Sequence, residues 1–163
     1  IVLYLLIIPS IGLLLPFKKI YFNFNLKSRD VLFIFSTVSF NLLIVVNVLL
    51  KNTWGRVRPN DILQFGGSDV FTPWFWVSDS CIRNCSFVSG DASVGFSIIV
   101  LFLITKKQIY LWLSVFFGLL LGAVRILEGG HFLSDILLAG FIIFILTYFE
   151  FYFYNKKFSN NVH

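Results

Sequence analysis

One run of the sequence restricts the fold more than any other: residues 31–50 are twenty consecutive residues without a charged side chain. An α-helix needs about 20 apolar residues to cross the hydrocarbon core of a bilayer, and about 17 is the lower limit. The run therefore predicts a transmembrane helix, and it indicates a membrane protein rather than a soluble domain.

Four further apolar stretches repeat the pattern. They are residues 1–17, 90–105, 108–124 and 132–149, and only Asp135 interrupts the last one. None shows the sustained alternation of a β-barrel strand. We therefore predict an all-α polytopic transmembrane bundle with five spans in one domain, residues 1–163. Because the sequence lacks Met and opens inside an apolar run, we expect a sixth, N-terminal helix to precede it.

The composition agrees with a membrane location. Hydrophobic residues make up 58% of the chain and charged residues 13%, against about 45–50% and 25% in soluble domains. This balance excludes a disordered chain, a basic nucleic-acid-binding domain and an ordinary cytosolic enzyme. The net charge of +5 is instead interpreted as basic loops at the membrane.

The basic residues indicate which ends of the spans face the cytoplasm. Eight of the thirteen fall in segments 18–29, 106–107 and 156–157, which the predicted topology places on one side. Cytoplasmic loops carry an excess of Lys and Arg, so this side is expected to be cytoplasmic. Segments 51–89 and 125–130 would then face the periplasm or the cell exterior.

The outward segments carry polar side chains that the spans bring to one membrane face at similar depth. The set is Lys51, Arg58, Ser89, Gly90, Asp91, Arg125, His131 and Asp135. Taken singly, a Lys or Arg at the end of a span is usually an interfacial anchor, and a Ser-Gly-Asp run is often a helix cap. Their convergence on one face favours a common site.

The residue types in this set suit phosphate chemistry. Arg58 and Arg125 can pair with phosphate oxygens through planar forks, and Lys51 can act as a point charge. Ser89 and Gly90 precede a predicted helix, whose free N–H groups attract anions. We therefore expect a phosphate-binding cradle.

His131 and Asp135 add a nucleophile to the cradle. At positions i and i+4 they share a helix face, so the carboxylate can hold one imidazole nitrogen and leave the other free to attack. An Asp inside a span is costly and indicates function.

With these motifs the sequence resembles a known family, the type 2 phosphatidic acid phosphatase superfamily. Three motifs in the family's order carry the resemblance: Lys51-x6-Arg58-Pro59, Ser89-Gly90 and Arg125-x5-His131-x3-Asp135. The integral membrane members have six helices, and the chain would supply helices two to six. The resemblance implies that His131 attacks phosphorus to form a phosphohistidine and that Asp135 orients it. It implies no metal or cofactor.

The same resemblance implies that the cradle residues bind the phosphate oxygens and stabilise the negative charge that develops in the transition state. These are Lys51, Arg58, Ser89, Gly90 and Arg125. The family's second motif usually ends in His, where this chain has Asp91, and its usual Ser before the third-motif Arg is Val124. Asp is normally ionised and then cannot protonate a leaving group. Asp91 is therefore either an acid that stays protonated beside phosphate, or a helix cap while water supplies the proton.

Longer runs are similar to one branch of the family, the lipid A 4′-phosphatases of Gram-negative bacteria. The runs are 54–56, 85–93 and 129–132. The branch implies an inner-membrane protein with its site facing the periplasm and a membrane lipid phosphate as substrate. Alternatives are an undecaprenyl pyrophosphate or glycerolipid phosphate phosphatase, and a phosphate-lipid binder or transporter without turnover.

Four other residues and one residue pair give structural expectations. Gly118 and Gly122 form a G-x-x-x-G pair that favours close helix packing. Asn41 and Asn47 lie in the uncharged run and are expected to hydrogen-bond across helices. An oxidising compartment would permit a disulfide between Cys81 and Cys85. Two free thiols are the alternative.

Overall fold

The computed structural model describes residues 26–159 and contains four main helices. They are α1 (Ser28–Thr53), α2 (Gly90–Thr105), α3 (Gln108–Leu127) and α4 (Leu133–Ser159). Helices α1, α3 and α4 are long and apolar enough to cross a membrane, and α2 is a shorter apolar helix. Extended pairing within the described range is one bridge between Ile62 and Asp69. The predicted all-α polytopic bundle is thus confirmed, and the predicted span 1–17 lies outside the described residues.

Helix α1 changes its hydrogen-bond pattern along its length. It is α-helical over Ser28–Ser39, π-helical over Phe40–Leu50, and ends with the turn Lys51–Thr53. Asn47 Nδ2 donates to the carbonyl of Leu42, five residues earlier, at 2.6 Å. The prediction that Asn47 bonds across helices is therefore wrong, because the wider π-helical turn places a backbone acceptor of its own helix within reach.

Asn41 behaves as predicted. Its Nδ2 donates to Thr147 Oγ1 at 3.4 Å and to Glu150 Oε2 at 3.2 Å, both on α4. The side chain is buried, so these bonds supply partners that lipid cannot.

Helix α2 has two segments, Gly90–Phe96 and Ile99–Thr105. Near the break, Ser97 Oγ donates to the Ser93 carbonyl at 2.7 Å, a side-chain bond that competes with the helix ladder and favours bending. The start of α2 packs against α3 and α4 and is buried in protein. This packing accounts for a span shorter than its neighbours.

The G-x-x-x-G prediction is confirmed by the packing of α3. A methyl group added to Gly118 would lie 2.3 Å from the Phe96 ring, and one on Gly122 would lie 2.5 Å from Ile136 Cγ2. Gly95 of α2 faces the same contact, where an added methyl would lie 2.5 Å from the Gly118 backbone nitrogen. The two helices meet at backbone distance because these positions lack side chains.

The two ends of the bundle differ in chemistry. At one end Tyr154 donates a hydrogen bond to Asp30, and Lys106 Nζ lies 4.6 Å from the centre of the Phe151 ring. The basic segments around residues 27–29, 106–107 and 154–157 therefore gather together. The opposite end brings together the end of α1, the start of α2, the end of α3 and the start of α4.

Candidate active site

The sequence-predicted cations line the end of the bundle opposite the basic segments. Lys51 lies in the last turn of α1, and its Nζ would lie 3.3 Å from a methyl group added to Gly90 at the start of α2. Arg125 lies near the end of α3, and its Nη2 would lie 3.2 Å from a methyl group added to Gly130. Glycine at these two positions leaves space beside the cations.

A tight turn between α3 and α4 places His131 inside the bundle. Gly129 has a left-handed φ of +66°, which glycine adopts readily, and Gly130 N donates to the Arg125 carbonyl at 2.9 Å. His131 follows and is only 1% exposed. Helix α4 starts two residues later, at Leu133, so His131 lies in the turn that precedes the helix. The prediction that His131 and Asp135 share a helix face is therefore wrong, although the turn still brings the two side chains together.

His131 meets Asp135 through a network that includes Ser86. The distance from His131 Nδ1 to Asp135 Oδ2 is 3.8 Å. Ser86 Oγ donates to Asp135 Oδ2 at 2.5 Å and lies 3.5 Å from His131 Nδ1. Phe132 N also donates to Asp135 Oδ2, at 3.0 Å. The Nδ1 edge of the ring is therefore turned toward a hydrogen-bonded carboxylate.

The other ring nitrogen of His131 is unoccupied. Nε2 is buried and has no hydrogen-bond partner among the described residues. Buried polar atoms in native proteins are normally satisfied, so an unpaired imidazole nitrogen here suits a group that acts on a ligand. Within residues 26–159, no three His, Cys, Asp or Glu side chains gather closely enough to hold a metal ion.

Sequence reasoning missed the residue that neutralises Asp135. Arg56 is 2% exposed, and its Nη1 forms an ion pair with Asp135 Oδ1. Its guanidinium also donates to Ser134 Oγ at 2.8 Å and to the Thr72 carbonyl at 2.9 Å. A buried Asp near the start of a span requires a partner, and Arg56 could have been sought on that ground.

Aromatic rings enclose the guanidinium of Arg56. Its central carbon lies 4.3 Å from the centroid of the Phe132 ring and 5.7 Å from that of Phe71. Planar guanidinium groups stack favourably on aromatic faces. The position of Arg56 is therefore fixed by charge, by hydrogen bonds and by packing.

A short disulfide-closed loop touches two of the cations. Cys81 and Cys85 are bonded to each other, which decides between the alternatives that the sequence left open. Within this loop Asn84 Oδ1 accepts a hydrogen bond from Lys51 Nζ at 3.4 Å, and its carbonyl accepts one from Arg58 Nη2 at 2.8 Å. Asn84, another residue that sequence reasoning missed, thus links the cations of the first motif.

Asp91 lies in an ion pair rather than at the cap of α2. Ser89 caps α2 by accepting a hydrogen bond from Ala92 N at 3.4 Å. Asp91 Oδ2 instead lies 3.1 Å from Arg125 Nε, and Arg125 also pairs with Glu128. The expectation that Asp91 caps the helix is wrong, because Ser89 already fills that position.

A polar cleft of about 480 Å³ adjoins the cradle. Its wall includes the two arginines of the first and third motifs together with amide and carboxylate side chains. The lining residues are Arg58, Asn60, Asp61, Cys81, Arg83, Asn84, Arg125, Glu128 and Gly130. The cleft can accept a polar group larger than phosphate alone.

Comparison with known proteins agrees with the motifs. The sequence model of the PAP2 superfamily matches residues 31–159. A protein named lipid A 4′-phosphatase from Francisella tularensis subspecies novicida strain U112 is 41% identical over 109 residues, which cover 64% of this chain and 49% of that protein. Proteins of the same name from Rhizobium leguminosarum and Rhizobium etli are each 38% identical over 98 residues, or 58% of this chain.

The chain spans about half the length of the curated relatives it matches, with 49%, 42% and 38% of the three proteins covered. No solved structure matches it. The superfamily match, in contrast, extends from the first described span to the end of the last and includes all three motifs. The chain therefore belongs to the PAP2 superfamily.

Proposed function

We propose that this protein hydrolyses the phosphate monoester of a membrane lipid, with His131 as the nucleophile. One observation carries the proposal: the buried His131 keeps an unpaired Nε2 while its Nδ1 faces a hydrogen-bonded carboxylate, at the end of the bundle that also carries the three cations. Nε2 would attack phosphorus and form a phosphohistidine, which water would then hydrolyse. Asp135 would hold the ring and stabilise its charged form.

The cradle residues would bind the oxygens of the phosphate as negative charge develops. Lys51, Arg58 and Arg125 would supply the positive charge, and the Ser89-Gly90 backbone would supply N–H groups. Asn84 and the disulfide loop hold the first two cations, and Asp91 holds the third. Such fixed charges stabilise a transition state without reorganising during the reaction.

Asp91 is proposed to position Arg125 rather than to act as the acid. Its carboxylate lies 3.1 Å from the guanidinium, and a protonated acid would give up that ion pair. The leaving alkoxide would then take its proton from water in the adjoining cleft. The lack of an acidic side chain to protonate the leaving group also favours a second candidate substrate, a polyprenyl pyrophosphate, because a phosphate leaving group needs protonation much less than an alkoxide does.

Lipid A, cleaved at its 4′ phosphate, is the preferred substrate. The similar proteins are named lipid A 4′-phosphatases, and the polar cleft offers acceptors such as Asp61 and donors such as Arg83 for sugar hydroxyls. Undecaprenyl pyrophosphate has no sugar next to its phosphates and would leave these groups unused. Glycerolipid phosphates offer fewer hydroxyls than lipid A.

The proposed location is the bacterial inner membrane, with the site on the periplasmic side. The basic segments at residues 106–107 and 154–157 gather at the end opposite His131, and basic ends face the cytoplasm. The disulfide between Cys81 and Cys85 lies at the His131 end. Disulfides persist in oxidising compartments such as the periplasm, which supports placing this end there.

The test offers detergent-purified protein lipid A, undecaprenyl pyrophosphate and phosphatidic acid side by side. Phosphate release is measured, and mass spectrometry locates the position cleaved. We expect release from the 4′ position of lipid A, competition by vanadate, and complete loss in His131→Ala. The matched control is His163→Ala, which removes the chain's other histidine and is expected to retain activity.

Each other outcome contradicts a defined part of the proposal. Release from the pyrophosphate alone would replace lipid A by the second candidate. Binding of lipid A with no release from any substrate would identify a binder or transporter. Near-normal turnover by His131→Ala would exclude this nucleophile.

A further inference from the structure

The loop between α1 and α2 carries a large apolar surface outside the membrane-spanning helices. In residues 63–77, here called the outer aromatic loop, eight large hydrophobic side chains are exposed, with Phe65 at 69% and Trp76 at 64%. The full set is Leu63, Phe65, Val70, Phe71, Trp74, Phe75, Trp76 and Val77. Soluble surfaces rarely leave an apolar patch of this kind uncovered.

Hydrogen bonds hold one part of the loop at the end of α1. Trp54 directly follows Thr53, the last residue of that helix. Its Nε1 donates to the Trp74 carbonyl at 2.7 Å, and its own carbonyl accepts from Ser78 N at 3.1 Å. Residues 74–78 are therefore fixed at the depth where α1 ends.

A ring contact holds a second part of the loop at the start of α4. Phe71 meets Phe132 edge to face with ring centroids 5.4 Å apart, and Phe132 directly precedes Leu133, where α4 begins. The loop is thus tied to the ends of two different spans. Both ties place it where those spans leave the hydrocarbon core, which is the interfacial region of a bilayer.

The exposed surfaces of the spans continue into the loop. On α1, Val48 and Leu49 are exposed near the helix end, and on α4, Leu133 and Leu137 are exposed near its start. Side chains of this kind on a membrane-spanning helix face lipid. The outer aromatic loop extends the same apolar surface with two Trp residues, and Trp is enriched at membrane–water interfaces because its ring is amphipathic.

We propose that the outer aromatic loop is a membrane anchor that inserts Trp74–Val77 into the boundary between the lipid headgroups and the acyl chains. The partner is the bilayer itself, and the inference does not depend on the phosphatase reaction. Because Phe71 also stacks against Arg56, the partner of Asp135, insertion would fix the mouth of the site at the level of lipid headgroups.

The test measures depth with nitroxide labels in proteoliposomes of zwitterionic and anionic phospholipids. Both cysteines of the chain are disulfide-bonded, so an introduced cysteine is the single free thiol. Labels are placed at Trp76→Cys and Phe75→Cys in the loop. Ser80→Cys, an exposed polar position just beyond the loop, is the matched control, and Phe141→Cys on the exposed face of α4 is the lipid reference.

Collision rates with oxygen, which concentrates in lipid, are compared with those of a water-soluble nickel chelate. We expect the oxygen-to-nickel ratio at positions 75 and 76 to be several-fold higher than at position 80 and to approach that at position 141. A ratio equal to that at position 80 would refute the anchor. Spin–spin broadening that disappears on dilution with unlabelled protein would show contact between two copies and would also refute it. Neither result depends on enzymatic activity, so the phosphatase proposal is tested separately.

Discussion

Replacing Arg56 tests whether the histidine network depends on a residue that is buried beneath the proposed site. Arg56→Met removes the charge and all three polar contacts while keeping much of the side-chain volume. The carboxylate of Asp135, which is fully buried, would then lose its counter-ion. Arg56→Lys is the conservative variant, because it keeps the charge but loses the planar fork that reaches Asp135, Ser134 and the Thr72 carbonyl.

Because the Arg56–Asp135 ion pair is buried, the loss of stability in Arg56→Met is expected to be large. Breaking a buried ion pair by removing one partner destabilises a protein by about 3–5 kcal/mol, because the remaining charge stays buried and unpaired. We expect Arg56→Met to lower the free energy of unfolding by about that amount. Loss of a group that orients a metal-binding histidine lowers affinity or activity by about 10–100-fold, and we take the same order for a histidine oriented by a carboxylate. We therefore expect a fall of that order in kcat, with KM nearly unchanged because Arg56 is 2% exposed.

A double-mutant cycle separates positioning from general loss of structure. Phosphate release at saturating substrate and thermal unfolding in detergent are measured for Arg56→Met, Asp135→Asn and the double variant. Asp135→Asn alone is expected to reduce kcat severely. If Arg56 acts through Asp135, Arg56→Met should reduce kcat little further in the Asp135→Asn background, and Arg56→Lys should restore part of the activity.

Two results would refute the reasoning on Arg56. One is a kcat for Arg56→Met within twofold of the wild type. The other is an equal loss of kcat in both backgrounds, which would mean that Arg56 acts independently of Asp135. A loss of thermal stability alone, without the loss of kcat, would leave Arg56 a structural residue.

Three further predictions concern the surroundings of the site. Asp91→Asn should lower kcat/KM by at most about fivefold, because a partly exposed ion pair such as that with Arg125 contributes about 0.2–1 kcal/mol. The factor should be similar for a sugar phosphate and for a pyrophosphate. A loss of activity confined to the sugar phosphate would instead identify Asp91 as the acid. Cys81→Ser, like reduction of the native protein, should raise KM because Asn84 no longer holds the two first-motif cations, and an unchanged KM would contradict this. Gly95→Ala should lower the free energy of unfolding by about 1–3 kcal/mol through overpacking against the α3 backbone, measured by thermal unfolding; unchanged stability would contradict the close approach.

The spans and the convergence of the motifs could be predicted because each depends on local sequence. A run of uncharged residues defines a helix of membrane length, and alternating spans place residues such as Lys51, Gly90, Arg125 and His131 on one face without any knowledge of the loops. The close packing at Gly118 followed from residue size in the same way. The prediction of a cross-helix hydrogen bond from Asn47 was wrong because the partner of Asn47 depends on a π-helical turn, which the pattern of apolar residues does not indicate.

The residues that sequence reasoning missed lie in the long outward loop. Arg56, Ser86 and Asn84 reach the site only because the loop returns to the ends of α1 and α4, and no periodicity in residues 54–89 predicts that return. The sequence places Asp91 at the start of the predicted span 90–105, but its partner Arg125 belongs to another span. Side-chain partners across such distances are decided by packing rather than by local pattern.

In the proposed mechanism, the arrangement of charges gives Arg56 a role distinct from that of the cradle. A phosphate-binding site concentrates positive charge, and an unpaired Asp135 beside it would attract Lys51 or Arg58 and compete with the substrate for them. Arg56 forms the buried ion pair with Asp135 and is absent from the lining of the polar cleft, so the carboxylate can hold His131 without drawing Lys51 or Arg58 toward itself. Arg125 is balanced in the same manner by Asp91 and Glu128. In the proposed mechanism these ionic groups are therefore fixed before the substrate binds, which is the condition under which electrostatic stabilisation of a transition state is most effective.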